Sequence, residues 1–228
     1  MTLDDLVAAV RAAVVTFVDV AGPIPLSRTR DPRHGDYASP VLLRTGAVAA
    51  AAQVAAALTA HPGIDRAWPQ GPGFLNIRLD DQALTASVRE MTAPPKLAPF
   101  PIDPPAGLIE AIGEPAARYA GTRPDRASTP WTRANEANPF YLVQFAGVTA
   151  ANVRRWATPD PAAAPDRELL VDLATFPWNA PTPDDLTRAL ERVAAAYLRS
   201  PRLDLADATH LVITAGLTRL GIAAADRL

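Results

Sequence analysis

Apolar residues in this chain recur first with a helical period, then with a strand period, then with a helical period again, and proline marks most of the changes. Over residues 3–18 they fall at Leu3, Leu6, Val7, Val10, Val14 and Phe17. That spacing predicts an amphipathic helix, and Thr2 stands where a cap belongs. Residues 41–60 predict a second, Ala-rich helix stopped by His61-Pro62-Gly63. Residues 64–68 and 74–79 predict two strands, reversed through Pro69-Gln70-Gly71-Pro72-Gly73. Asp80 or Asp81 can cap a third helix running to Met91.

Residues 93–106 carry six prolines and predict a semi-rigid extended linker. The same composition would suit an SH3-type ligand, but the linker reading is preferred. From Gly107 onward the pattern is helical throughout, with helices over 107–119, 139–156, 167–175, 183–199 and 204–220. Pro-rich loops at 158–165 and 177–183 separate them. No internal repeat is visible. The expected architecture is an α+β domain over 1–92, with a small antiparallel sheet and helices, then the linker, then an all-α bundle over 107–228.

Composition narrows the function classes. A chain of 228 residues with 49% apolar content can bury a real core in one or two domains. The formal charge is −2 and the pI about 5.9. A generic polyanion binder is thereby disfavoured, because non-specific nucleic-acid affinity comes from Lys and Arg neutralising phosphates. DNA is not an expected partner, whereas shape-specific binding through local arginines stays open. Lys96 is the only lysine. The Arg-for-Lys and Ala bias reads more simply as a compositional trend than as phosphate recognition. With no cysteine, disulfides and thiolate chemistry are excluded. The acidic start Met1-Thr2-Leu3-Asp4-Asp5 lacks the basic region of a signal peptide, and the Ala-rich run at 47–60 is too short and weakly apolar to span a bilayer. A soluble cytoplasmic protein without a membrane partner is expected.

Several strings carry a resemblance. Gly71-Pro72-Gly73-Phe74-Leu75-Asn76-Ile77-Arg78-Leu79 and His34-Gly35-Asp36-Tyr37-Ala38-Ser39 resemble the additional N-terminal domain of arginyl-tRNA synthetases. Ile112-Gly113-Glu114-Pro115-Ala116-Ala117-Arg118-Tyr119 resembles the helix that follows the family's catalytic domain. Asn138 to Trp156 is similar to the first helix of its anticodon-binding domain, a bundle often named for an Asp-Ala-Leu-Arg (DALR) string. Ala215-Gly216-Leu217-Thr218-Arg219-Leu220-Gly221-Ile222, with Ala224 to Leu228, is similar to that domain's end. The matches run over roughly 25–90 and 108–228. Only 58 residues, 80–137, separate the strand string from the Asn138 helix, and a mononucleotide-binding domain does not fit there. The resemblance places the Pro-rich linker where the catalytic domain has been deleted.

What the resemblance implies for function follows by position. The family's N-terminal domain grips the tRNA elbow. Phe74 would stack on an extruded D-loop base, Asn76 would hydrogen-bond to it from the same strand face, and Arg78 lies next on that face. On their own chemistry alone, Phe74 reads more simply as core and Asn76 as a surface residue near a turn. His34 beside Asp36 has no nucleophile next to it, and in the family that string is structural, with Gly35 turning and Tyr37 packing. The remaining tRNA contacts would be Tyr141, Gln144, Arg154, Arg155 and Trp156. Arg154-Arg155-Trp156 joins charge and aromaticity at a helix end; alternatively Trp156 caps the core and the arginines are solvated.

The departures matter as much. The synthetase's His-Xaa-Gly-His phosphate signature is absent, since the histidines are His34, His61 and His210. Neither a lysine-bearing second signature nor a Gly-rich phosphate loop is present. No adenylation or aminoacylation, no cofactor and no metal are therefore expected. The family's Tyr-Ala-His-Ala-Arg run reads Phe145-Ala146-Gly147-Val148-Thr149, and a later aromatic string reads Tyr197-Leu198-Arg199-Ser200-Pro201. Lost aromatic platforms cost about 1–3 kcal/mol each in single-strand affinity, so anticodon reading is the weaker expectation. Three functions remain. The preferred one is a non-catalytic tRNA binder for arginine tRNA or a related tRNA, acting in delivery or regulation. The others are an interaction module that has lost RNA binding, and an accessory subunit acting in trans with a full-length aminoacyl-tRNA synthetase or a biosynthetic enzyme.

Overall fold

The computed structural model describes residues 1–156 and 166–225. The chain divides into two units, Met1–Ser87 and Val88–Leu228. The first is a small four-stranded antiparallel sheet with helices, and the second is helical.

In the first unit, α1 spans Leu3–Val15. A reciprocal capping box starts it: Asp5 N donates to Thr2 Oγ1 at 3.2 Å and Thr2 N donates to Asp5 Oδ2 at 2.8 Å. Thr2 thus caps as expected, but the helix stops three residues short of Val18. The single helix expected over 41–60 is broken. It consists of α2 (Val41–Thr45), a 3-10 turn at Val48–Ala50 and α3 (Ala51–Thr59). Gly46 ends α2 in the left-handed conformation, the usual way a helix satisfies its last carbonyls.

Two short strands were not expected from sequence, β1 (Ser27–Arg28) and β2 (Tyr37–Ser39). They join the expected pair, β3 (Ile64–Gln70) and β4 (Phe74–Leu79), in the order β1-β2-β4-β3, all antiparallel. Leu75, Ile77 and Leu79 alternate along β4 and are fully buried with Leu6, Val10, Leu42, Val54 and Leu58 from the helices. One sheet face is therefore core, and Phe74, Asn76 and Arg78 project from the other. After Asp80, α4 runs Asp81–Arg89.

In the second unit the Pro-rich run forms neither helix nor strand. It is tied to the bundle: Phe100 N donates to Arg219 O at 2.8 Å and Arg118 Nη1 donates to Ile102 O at 2.8 Å. The helix expected over 107–119 is two helices, α5 (Ala106–Ile112) and α6 (Glu114–Gly121), separated at Gly113, with Pro115 at the favoured start of the second. Next come α7 (Pro139–Trp156), α8 (Arg167–Ala174), α9 (Pro183–Arg199) and α10 (Leu203–Arg219). Small residues let these helices close in on one another. A Cβ at Gly147 would lie 3.1 Å from Ile213 Cγ2, and one at Gly216 would lie 2.6 Å from Leu190 Cδ2. Tyr119 and Tyr197 are fully buried in the core. The loop expected at 158–165 and the last three residues of the C-terminal string lie outside the described residues.

Candidate functional site

The β3–β4 hairpin builds the first candidate site. Its register pairs Gln70 with Phe74, Trp68 with Asn76 and Arg66 with Arg78, while β2 sets Ala38 beside Asn76. Cross-strand partners share a face, so one surface carries Phe74, Asn76, Gln70, Trp68, Arg66 and Arg78. Phe74 is 40% exposed and Asn76 only 3%. The alternative of a core phenylalanine and a surface asparagine is therefore reversed. Asn76 Nδ2 donates to Gln70 Oε1, which fixes the amide plane. Its carbonyl oxygen accepts from no described residue. Phe74, Gln70 and Asn76 face Thr29, Arg30 and His34 across a cavity of about 440 Å³.

The loop that closes this cavity depends on Gly35. Its φ is +77°, and a Cβ there would sit 2.6 Å from Ile77 O and 3.0 Å from the Trp68 ring. That close approach brings Asp36 onto β4, where its N–H donates to Ile77 O at 2.7 Å and its carboxylate accepts from Leu79 N at 2.7 Å. Tyr37 is buried. Asp36 serves the backbone, and the His34–Ser39 string is a structural clasp. At the loop's tip Asp31 caps a 3-10 turn at Pro32–His34 and accepts two hydrogen bonds from Arg33 Nε, at 3.0 and 3.1 Å. Those side-chain bonds, aided by the bond from the Arg33 backbone N–H, hold the Asp31 carboxyl down at about 2.

The face beside the cavity is cationic. Arg66 lies over the Trp68 ring at 5.2 Å and Arg78 pairs with Asp65 at 3.5 Å. Together with Arg33 and Pro32 they outline an adjoining depression of about 460 Å³. No described carboxylate pairs with Arg30 or Arg66. Sequence reading passed over Arg30, Arg66, Trp68 and Gln70. The last three alternate along β3 at strand period, and the turn at 71–73 fixes their register against Phe74, so the signal was present.

The helical unit treats its candidate residues differently. Tyr141 stacks on Phe145, ring centroids 5.7 Å apart and planes 10° apart, and Phe145 is 42% exposed. Trp156 is 83% exposed, so it does not cap the core. By helical spacing it lies on the same side of α7 as Tyr141 and Phe145. Arg154 pairs with Asp207, and Arg155 is exposed. Gln144 does not join them. It is buried, its Oε1 accepts from Ala225 N at 2.8 Å and its Nε2 donates to Ala223 O at 3.3 Å. That amide anchors the chain after α10. Tyr197 is also core; burial pushes its hydroxyl up to about 12. Among the described residues no His, Cys, Asp and Glu cluster suits a metal, and no helix is long and apolar enough to cross a membrane.

Residues 3–79 match the family model described as the arginyl tRNA synthetase N terminal domain. Over 152 residues the chain is 30% identical to an arginine–tRNA ligase of Synechococcus sp. (strain JA-3-3Ab). That match takes in 62% of this chain and 22% of the ligase, so the chain spans about a fifth of its relative. A solved arginyl-tRNA synthetase from Thermus thermophilus matches over 97% of this chain and 39% of its own, at 16% identity and a TM-score of 0.36. The chain is related to arginyl-tRNA synthetases through its N-terminal unit.

Proposed function

We propose that this protein is a non-catalytic tRNA-binding relative of arginyl-tRNA synthetases, acting on arginine tRNA or a related tRNA in the cytoplasm for delivery or regulation. The observation that carries the reading is the exposed Phe74 ring beside the buried, oriented Asn76 amide in one cavity. An aromatic face stacks on an unpaired base, and an amide fixed two residues away reads its edge. Arg30 at that cavity and Arg66 and Arg78 at the adjoining depression would neutralise phosphates, which gives affinity without requiring a basic chain overall. Against aminoacylation stand the missing His-Xaa-Gly-His string and the short interval between the two matching regions.

The test is a titration of arginine tRNA, then of total tRNA, at near-physiological salt. Saturable binding that prefers arginine tRNA is expected. Phe74→Ala should weaken it roughly ten- to hundredfold, as loss of one stacking contact of about 1–3 kcal/mol implies. Binding that is absent, or indifferent to Phe74→Ala in a folded variant, overturns the reading.

A second reading has its own support. The exposed Phe145 ring stacked on Tyr141, the engaged Gln144 and the acidic pI suit a protein-interaction module or an accessory subunit of a full synthetase. Failure to bind tRNA, joined to a changed aminoacylation rate when the chain is added to a full-length synthetase, would establish it.

A further inference from the structure

One face of α10 floors a groove that the tRNA reading leaves unused. Leu211, Thr214, Ala215 and Thr218 recur at helical spacing and line it, and Arg219 follows at the helix end. The Pro-rich segment forms the opposite wall through Pro95 and Leu97, and Trp178 closes one side. The volume is about 550 Å³, within the range of small-molecule sites, which are typically apolar with a few polar groups that set orientation.

The charged groups here have one sign. Among the described residues Lys96 and Arg219 line the groove and no Asp or Glu does, although the chain has 24 acidic residues against 22 Lys and Arg. Among the described residues Arg219 has neutral partners only. It donates to Trp178 O and to Ala180 O, and its guanidinium lies 4.3 Å from the Phe100 ring centroid. Its Nε is buried and finds no acceptor among the described residues, and Thr214 Oγ1 is in the same condition. Arg219 is half-buried, and that partial burial without a counter-charge lowers its pKa from the ordinary arginine value. A carboxylate in the groove would bring the counter-charge that Arg219 and Lys96 do not find among the groove's described residues.

We propose that this groove binds a small amphipathic carboxylate, its apolar body between the Pro-rich wall and α10 and its head at Arg219 and Lys96. No nucleic acid takes part, so the proposal stands or falls apart from the tRNA reading. The experiment uses the whole chain, with 8-anilinonaphthalene-1-sulfonate as a fluorescent reporter and octanoate and octanamide as competitors. Octanoate should bind at one-to-one stoichiometry and displace the reporter at least tenfold more effectively than octanamide. Ala215→Trp, which fills the floor, should abolish binding without lowering the melting temperature. Arg219→Gln should remove the preference for octanoate. Should Arg219→Gln not fold, Lys96→Gln, on the exposed Pro-rich wall, should still weaken octanoate about threefold and leave octanamide unchanged. Equal affinities for octanoate and octanamide, no octanoate binding, or full binding by a folded Ala215→Trp variant each overturn the proposal.

Discussion

The sheet face around Phe74 and the outer face of α7 carry the same kinds of side chain, yet the fold treats them in opposite ways. On the sheet, the amide of Asn76 is buried and held by Gln70 while the ring beside it stays open. On α7, the half-buried ring of Tyr141 and the exposed rings of Phe145 and Trp156 lie along one stripe, and the buried amide of Gln144 turns away to hold the chain at Ala223 and Ala225. The first arrangement is pre-organised, so a ligand would not have to order it. The second leaves aromatic groups without a fixed polar partner. Residue type alone does not distinguish a site from a surface; the support behind it does.

The largest expected effect comes from removing that support. Gly35→Ala forces a side chain into a positive-φ position and against Ile77 O, and should destabilise the N-terminal unit by about 3 kcal/mol or more. Thermal denaturation with separate probes for the two units would show the loss confined to one, and tRNA affinity should fall with it. A unit as stable as wild type would mean that the clasp does not set the site. Next is Gln144→Met, which leaves Ala225 N without its acceptor and should cost about 1–2 kcal/mol in the helical unit. Urea titration measures this, and tRNA affinity should stay unchanged.

Alkaline pH probes the helical unit by another route. Burial raises the Tyr197 hydroxyl to about 12 and carries Tyr119 well above its ordinary value of 10, with nearby Glu191 adding to the shift on Tyr119. A group whose folded pKa exceeds its unfolded one stabilises below the unfolded value and loses that contribution as pH rises through the folded one. The helical unit should therefore weaken progressively from about pH 10 upward, readable as a falling denaturation midpoint, and Tyr197→Phe should flatten part of that slope. The smallest effect belongs to Trp156→Ala. Stability should change by less than about 0.5 kcal/mol and tRNA affinity by less than about threefold. A large loss of affinity would erase the contrast between the two faces and restore α7 as an RNA surface.

The sequence revealed elements with enough periods to repeat. The bounds of β4, α7 and α9 follow the pattern because six to eighteen residues hold a clear phase. Ser27–Arg28 and Tyr37–Ser39 are too short to show alternation, and only their pairing to β4 makes them strands. The break at Gly46 was hidden because apolar residues continue on both sides of it. At the site, the alternation of Phe74 and Asn76 put them on one face from sequence alone. Nothing local indicated that Asn76 would be buried against Gln70, or that Gln144 would be engaged by backbone about eighty residues downstream. Those are tertiary facts, set by which segments the fold brings together.

The exposed lysine on the rim of the α10 groove has a practical use. These 228 residues contain one lysine, so above neutral pH an amine-directed reagent meets, besides the α-amine of Met1, a single side-chain target, and it stands in the Pro-rich wall. A dye or cross-linker attached at Lys96 would report occupancy of that groove by its emission or by protection from labelling, with no cysteine to introduce and no residue to replace.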